Sequence, residues 1–144
     1  MEDKFVTYLN EINIPESVQN RIDIILTEIN SIYSNFKIED IFVSQVRQDN
    51  NITYTSLWLY GKNFCMECKN FLNTDDYDVA FLNNNVHYFN IVKSSFDGTS
   101  ANDASSISIN VLLGKCSCTL SAVGKNCINA LSLAKKYYLE NGVG

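Results

Sequence analysis

The first third of the chain has the three- and four-residue spacing of apolar side chains that is typical of amphipathic helices. The first stripe of this kind comprises Phe5, Tyr8, Leu9 and Ile12. A second stripe begins after Pro15, the single proline of the chain, and comprises Val18, Ile22, Ile25, Ile29 and Ile32. Proline suits the start of a helix because it has no N–H to lose in the first turn. The pattern predicts two helices, the second reaching about residue 35.

From residue 41 the apolar period changes to two, and the segments become rich in β-branched and aromatic residues. Strands are predicted at 41–48, 52–60, 63–70, 77–82, 86–94, 106–113 and 116–122. Most of them are separated by short stretches of Asn, Asp or Gly, which favour tight turns between antiparallel neighbours. The longer connection at 95–105 has few apolar residues and is expected to be a mobile loop. The pattern therefore predicts an antiparallel meander.

The helical period returns over residues 125–140. One stripe of this last helix comprises Cys127, Leu131, Ala134 and Tyr138. Gly142 is expected to end the helix, since glycine commonly adopts the left-handed conformation at this position.

Two stretches then resemble a known superfamily. "SLWLYGKNFCMECKNF" (56–71) is similar to the hairpin of strands two and three in pleckstrin-homology-like (PH-like) domains. "LLGKCSCTLSAVGKNCINALSLAKKYY" (112–138) is similar to their last hairpin, which leads directly into a C-terminal helix. The resemblance covers about residues 38–141. It implies a strongly bent, nearly closed barrel whose open end is covered by that helix.

The expected fold class is therefore α+β, with one compact unit in two parts. Residues 1–37 form an N-terminal helical extension packed on the sheet, and residues 38–144 form a seven-stranded antiparallel PH-like barrel capped by a C-terminal helix. A helix-wrapped curved sheet of the cystatin or NTF2 kind is the alternative. Those folds do not normally end in a long helix after seven strands.

The resemblance also implies candidate binding modes. PH-like domains that bind phosphoinositides carry several Lys and Arg around the first hairpin, where this chain has Arg47 alone. Those that bind peptides use the groove between strand five and the last helix, where an added strand takes up free edge hydrogen bonds. Here that groove corresponds to Val86, Tyr88, Asn90, Val92, Leu131, Lys135 and Tyr138.

An aromatic stripe on the second strand permits two interpretations. Tyr54, Trp58 and Tyr60 share one face, and Leu57 and Leu59 occupy the other. With both faces apolar, the strand is expected to be central, between the barrel interior and the N-terminal helices. In the alternative interpretation the aromatic face is an exposed interaction patch. The isoleucine stripe of the second helix must likewise be buried, on this sheet or against a second copy of the chain in a homodimer.

Charge narrows the list of partners. The net charge is −5 at pH 7 with a pI near 4.7, and the basic residues are scattered along the chain. Nucleic-acid and anionic-membrane binding depend on clustered Lys and Arg, so neither is expected. The N-terminal segment lacks the features of a signal peptide, and the five cysteines are an odd number, which favours free thiols in the reducing cytoplasm.

Four cysteines are the main candidates for chemistry. Cys65 and Cys68 form a Cys-x-x-Cys motif, and Cys116 and Cys118 form a Cys-x-Cys motif, so together they offer the four thiolates of a structural zinc site. On a regular strand, however, residues three apart point to opposite faces. Packing as small buried residues is therefore the favoured interpretation, and a zinc–thiolate protein or a thiol enzyme is the alternative.

The single histidine, His87, lies between apolar residues of a strand and is expected to be a partly buried structural residue. No third group is positioned to complete a nucleophile with a cysteine. The sequence therefore predicts no enzyme activity and no cofactor. It favours a cytoplasmic adaptor or scaffold module that binds a protein or peptide partner, with homo-oligomeric assembly through the N-terminal helices as a further alternative.

Overall fold

A computed structural model describes residues 1–73, 75–83, 85–97 and 102–140. The helices are α1 (Asp3–Glu11), α2 (Glu16–Ile32) and α3 (Asn126–Ala134), and α3 continues as π-helical turns over Lys135–Glu140. The strands are β1 (Asp40–Gln48), β2 (Asn51–Gly61), β3 (Phe64–Lys69), β4 (Asp78–Asn83), β5 (Val86–Ser94), β6 (Ser106–Leu113) and β7 (Cys116–Val123). Gly142 and part of the 95–105 connection lie outside the described residues.

The strands form two antiparallel sheets, so the protein is of the α+β class, as predicted. β1, β2, β3 and β4 make a four-stranded sheet in chain order, and β5, β6 and β7 make a three-stranded sheet. β4 and β5 follow each other in the chain but belong to different sheets. The expected barrel is therefore not closed by a continuous ladder of strands.

The four-stranded sheet is covered on both faces. On its outer face, α1 and α2 pack against β1, β2 and β3 in what we call the outer core. Ile22, Ile25 and Ile29 of the isoleucine stripe are buried there, whereas Ile32 at the end of α2 is 70% exposed. Most of the face that a homodimer would have needed is therefore covered within the chain itself. On β2, Leu57 and Leu59 face this outer core, while Trp58 and Tyr60 face the other way and are also fully buried. The predicted central position of β2 is confirmed.

The second hydrophobic cluster, which we call the inner core, fills the space between the two sheets and α3. The three-stranded sheet contributes alternate residues of β6, namely Ile107, Ile109, Val111 and Leu113. The C-terminal helix contributes two consecutive tyrosines, Tyr137 and Tyr138, which lie in its π-helical turns and are both buried. The Tyr138 hydroxyl lies 2.6 Å from that of Tyr60, which pairs these two buried polar groups.

β2 has a β-bulge in which Thr55 is the extra residue. Opposite this bulge, β1 meets the edge of the three-stranded sheet at Ser44 and Gln45. Both polar side chains are buried, and both accept hydrogen bonds from main-chain amides of β7. Ser44 Oγ accepts from the Ser121 N–H at 2.9 Å, and Gln45 Oε1 accepts from the Val123 N–H at 3.3 Å. Side chains therefore connect the two sheets at this corner, where a backbone ladder would be expected in a closed barrel.

Within the part of the chain that the structure describes, no helix has the length and apolar character needed to cross a membrane.

Candidate functional site

The four candidate thiols do not converge on one point. Cys65 belongs to the inner core and Cys68 to the outer core, as their three-residue spacing predicts. Cys118 is buried in the inner core, but Cys116 is exposed at the start of β7, so the expected shared face does not bring this pair together. No group of three or more His, Cys, Asp or Glu side chains with metal-binding geometry is found among the residues that the structure describes.

Burial keeps these thiols protonated. Desolvation raises the pKa of Cys65 and of Cys68 to about 12, and that of Cys118 and of Cys127 to about 11. The thiolate is the form that attacks electrophiles and binds metals, and at neutral pH it is rare for groups with such pKa values. All five cysteines are free. The four buried side chains behave as small apolar residues, which is the interpretation that the sequence favoured.

His87 occupies a β-bulge in β5. Val86 pairs with Leu113 and Tyr88 pairs with Leu112, so His87 is the extra residue on the bulged strand. Its side chain is exposed, and the prediction of a partly buried histidine is therefore wrong. The bulge also reverses the alternation on its N-terminal side. Val86 packs against the inner core together with Phe89, although strict alternation predicts that these two side chains face opposite ways.

The structure separates the predicted partner-binding residues of β5 into two groups. Tyr88 and Val92 point away from the core and are 57% and 55% exposed, respectively. Asn90 lies between them on the same face and accepts a hydrogen bond from Asn110 Nδ2 at 2.8 Å. Val86 is half-buried against the inner core, because the bulge turns its side chain inward.

The residues predicted on the helix side of the groove also differ in accessibility. Leu131 is half-buried at the margin of the inner core, and Lys135 is exposed, with its ammonium 3.9 Å from the Glu140 carboxylate. Tyr138 is fully buried, so its side chain is not available to a partner. This is a correction to the sequence-based surface: Tyr138 lies on the same stripe as Cys127 and Ala134, and that stripe faces the inner core. Tyr138 instead packs beneath the groove, with its ring centroid 6.5 Å from that of Phe89 on β5.

The outer edge of β5 is the most accessible strand edge in the described fold. β5 pairs with β6 on one side and with no described strand on the other. The edges of β7 and β1 meet each other at Ser44 and Gln45, whose side chains accept hydrogen bonds from the main chain of β7. β4 also has an unpaired edge, but it is only six residues long and begins with Asp78.

The outer face of the three-stranded sheet was not identified from the sequence. Nine side chains point outward in three cross-strand rows, and none of them is charged: Val92, Ser108 and Ser121; Asn90, Asn110 and Thr119; Tyr88, Leu112 and Ser117. The middle row is a hydrogen-bonded ladder, since Thr119 Oγ1 also donates to Asn110 Oδ1 at 2.9 Å. The signal in the sequence was the alternation of polar, uncharged residues along β6 and β7. We call this surface the uncharged face.

Charge is distributed unequally between the two halves of the chain. Residues 1–85 contain 13 of the 16 acidic residues and 6 of the 11 basic ones, whereas residues 86–144 contain 3 acidic and 5 basic residues. The half that contains the three-stranded sheet is therefore net positive in a protein of charge −5. The net charge of the whole chain does not reveal this difference. Counting the acidic and basic residues of each half of the sequence separately would have revealed it.

A cleft of about 510 Å³ opens at the C-terminal end of β5, between this strand and the end of β1. Two cationic side chains, Arg47 and Lys93, line it together with the carboxylate of Asp49. The Arg47 guanidinium donates a hydrogen bond to the main-chain carbonyl of Asp103, which fixes its position. The ammonium of Lys93 lies 5.5 Å from the ring centroid of Phe96. This end of β5 is thus flanked by two cations and one carboxylate.

Comparisons with known proteins give little further information. No family model and no curated protein sequence matches the chain. Among solved structures, the chain is similar to the C-terminal domain of an unknown protein from Leishmania infantum, with 11% sequence identity and a TM-score of 0.49. That similarity covers 83% of this chain and 99% of the Leishmania domain. The function of that domain is itself unknown, and none is transferred.

Proposed function

We propose that this protein is a non-catalytic, cytosolic interaction module of the PH-like kind, which binds an extended segment of a partner protein along the outer edge of β5. The observation that carries the proposal is the unpaired edge of this nine-residue strand, which displays the exposed side chains of Tyr88 and Val92. An extended peptide that adds to such an edge gains main-chain hydrogen bonds, and its alternate side chains reach the surfaces on either side.

The PH-like assignment is supported by the order and arrangement of the elements. A four-stranded and a three-stranded antiparallel sheet enclose one core, and the chain ends in a helix that packs on that core. β1 meets β7 at one corner, and the ladder is interrupted between β4 and β5. In this arrangement the interruption leaves β5 as an edge strand beside the C-terminal helix.

The groove has the composition expected of a protein-binding site. Phe89, Ile91 and Leu131 are half-buried at the margin of the inner core, so they offer apolar area without forming a flat exposed patch. Tyr88 and Val92 flank the strand edge on its outer side. Aromatic residues are enriched in protein interfaces, and charged residues are depleted from their centres.

The non-catalytic part of the proposal is supported by the placement of the reactive side chains. The buried thiols face two different cores, and desolvation raises their pKa values to about 11 or 12. His87 is exposed on a bulge and has no described hydrogen bond that would orient its ring for proton transfer. The free state of all five cysteines supports a reducing compartment.

The test is selection of binding peptides from a random library displayed on phage, followed by NMR mapping of one synthetic binder on the ¹⁵N-labelled chain. We expect the amide shifts to concentrate in residues 86–94 and in α3. The variant Val92→Lys places a charge beside the edge, a device by which natural sheets prevent strand addition, and we expect it to weaken binding at least tenfold.

Ile24→Lys is the matched control, because Ile24 is an aliphatic residue of similar exposure, 51%, on the opposite side of the molecule in α2. We expect this variant to bind as the wild type does. If the library yields no binder, if the shifts avoid 86–94, or if both variants weaken binding equally, the proposal is wrong.

A further inference from the structure

We propose that the segment bound at β5 is a strand of about seven residues whose centre is uncharged and whose ends are acidic. This inference rests on the proposed function and specifies the chemistry of its partner. Three independent features carry it: cations at both ends of β5, the absence of carboxylates from the three-stranded sheet, and the uncharged face beside the edge.

The first feature is the position of two lysines. Lys93 lies near the C-terminal end of β5, beside the cleft that also contains Arg47. Lys115 lies in the β6–β7 turn, which sits against the start of β5 because the Gly114 N–H donates to the Asn85 carbonyl at 3.1 Å. The eight residues from Val86 to Lys93 span about 24 Å at the usual strand rise. Neither lysine takes part in a described ion pair.

The second feature is the complete absence of Asp and Glu from β5, β6 and β7. An acidic strand added to β5 would therefore meet no like charge within the sheet, and its ends would lie towards the two ends of the sheet that carry Lys93 and Lys115. A second copy of β5 would be a poor occupant. It carries Lys93 but no carboxylate, so antiparallel self-pairing leaves the lysine of each copy without a counter-charge.

The third feature sets the centre of the bound segment. On the outer face, the bound segment would lie beside Tyr88, Asn90 and Val92, which are the residues of the uncharged face that belong to β5. A charge at the centre would lose hydration against these side chains without gaining a partner. The uncharged face spans only two strand spacings by four residues, about 10 by 14 Å, so by itself it is smaller than a standard interface. The strand edge must therefore supply much of the binding.

The test uses three acetylated and amidated nonapeptides that share the centre Val-Thr-Val-Asn-Val and differ only in two residues at each end. The ends are Glu-Glu, Gln-Gln or Lys-Lys, and their symmetry makes the result independent of strand direction. We expect the glutamate peptide to shift the amides of 86–94 and to bind at least tenfold more tightly than the lysine peptide, with the glutamine peptide between them. The difference should shrink towards unity between 50 and 500 mM NaCl, because screening weakens exposed charge pairs.

Charge reversal provides the second measurement. The double variant Lys93→Glu/Lys115→Glu should invert the preference, so that the lysine peptide binds more tightly. The control Lys4→Glu/Lys62→Glu changes the net charge by the same amount at two exposed sites in the other half of the chain, and it should keep the wild-type order.

The outcomes separate this inference from the proposed function. If all three peptides bind at β5 with equal affinity, or if the control inverts the order as well, the acidic-end inference is wrong and the peptide-binding function stands. If none of the three shifts 86–94 but a phage-selected peptide does, the inferred composition is again wrong. If concentration-dependent shifts at 86–94 appear without any peptide, a second copy is the occupant and the inference is overturned.

Discussion

The hydroxyl group of Tyr8 connects three parts of the chain that are distant in sequence. It accepts a hydrogen bond from the Val43 N–H and donates one to Asn126 Oδ1, both at 2.9 Å. Asn126 Nδ2 in turn donates to the Val43 carbonyl at 2.9 Å. α1 and α3 therefore satisfy both main-chain groups of one residue on β1, at the edge that faces away from β2. A buried polar group left without such a partner is costly, so we expect this network to be important for stability.

The variant Tyr8→Phe should lower the free energy of unfolding by about 1–3 kcal/mol, because it leaves the Val43 N–H and the Asn126 side chain each without one partner. Urea unfolding measures this change. Tyr88→Phe is the matched control, since Tyr88 is 57% exposed and loss of its hydroxyl should change stability by less than about 0.5 kcal/mol. Equal effects of the two variants would contradict the network.

At the scale of elements, α2 and the corner between β1 and β7 show how local pattern and tertiary contact combine. The spacing of isoleucines predicted a helix with one apolar face, and the structure buries that face against the four-stranded sheet. Sequence alone left a second copy of the chain as an alternative for the contact. The bulge at Thr55 of β2 was not predicted, because nothing in "ITYTSLWLY" distinguishes a bulged strand from a regular one.

Adjacent residues of α2 provide a direct test of which face is buried. Ile25→Ala should cost about 2–5 kcal/mol, as expected for removing a fully buried aliphatic side chain and leaving a cavity. Ile24→Ala, one position earlier and half exposed, should cost less than about 1 kcal/mol. Chemical unfolding of both variants measures the difference. A larger loss of stability for Ile24→Ala than for Ile25→Ala would mean that α2 buries the face that carries Ile24.

The corner between the two sheets is tested by Ser44→Ala. Loss of the Ser44 hydroxyl removes the acceptor of the Ser121 N–H, so we expect a loss of about 1–3 kcal/mol and faster amide exchange at Ser121. Ser31→Ala, at an exposed site near the end of α2, should change neither quantity measurably. Unchanged exchange at Ser121 in Ser44→Ala would show that the side chain does not join the sheets.

At the scale of the whole molecule, the two cores share one physical property: their buried cysteine and tyrosine side chains are in the neutral form. Desolvation raises the pKa of Cys65 and Cys68 to about 12, and it raises the pKa of Tyr60 and Tyr138 well above the ordinary value. In the unfolded chain these groups lose their protons at lower pH. Above about pH 9 the unfolded state therefore binds fewer protons than the folded state, and stability falls as the pH rises.

We expect the urea midpoint to be nearly constant from pH 7 to 8.5 and to fall steeply from pH 9 to 11. The corresponding free energy of unfolding should fall by up to about 1.4 kcal/mol per pH unit for each buried group. The fluorescence of the single tryptophan, Trp58, reports the transition, since its fully buried ring becomes exposed on unfolding. Cys68→Ala should reduce the slope by removing one such group, whereas Cys116→Ala, at an exposed position, should not. A midpoint independent of pH up to 11 would contradict the neutral burial of these groups.

The candidate site could be predicted only in part, and its residues show why. Tyr88 and Val92 were expected at an accessible edge, and both are exposed on β5. Tyr138 was expected beside them but is enclosed by the inner core, because the stripe that it shares with Cys127 and Ala134 faces that core. The role of Lys115 depends on the β6–β7 turn lying against the start of β5, which no local pattern encodes.

The sequence by itself determined the elements, and for most strands it determined their bounds to within one residue. It could do so because helical and strand periodicity depend on which side chains of one segment share a face, and that is a local property of the chain. The tertiary structure alone decided which edges remain unpaired and where the bulges at Thr55 and His87 turn the side chains. These features arise where segments far apart in sequence meet, so the periodicity within a single segment contains no information about them.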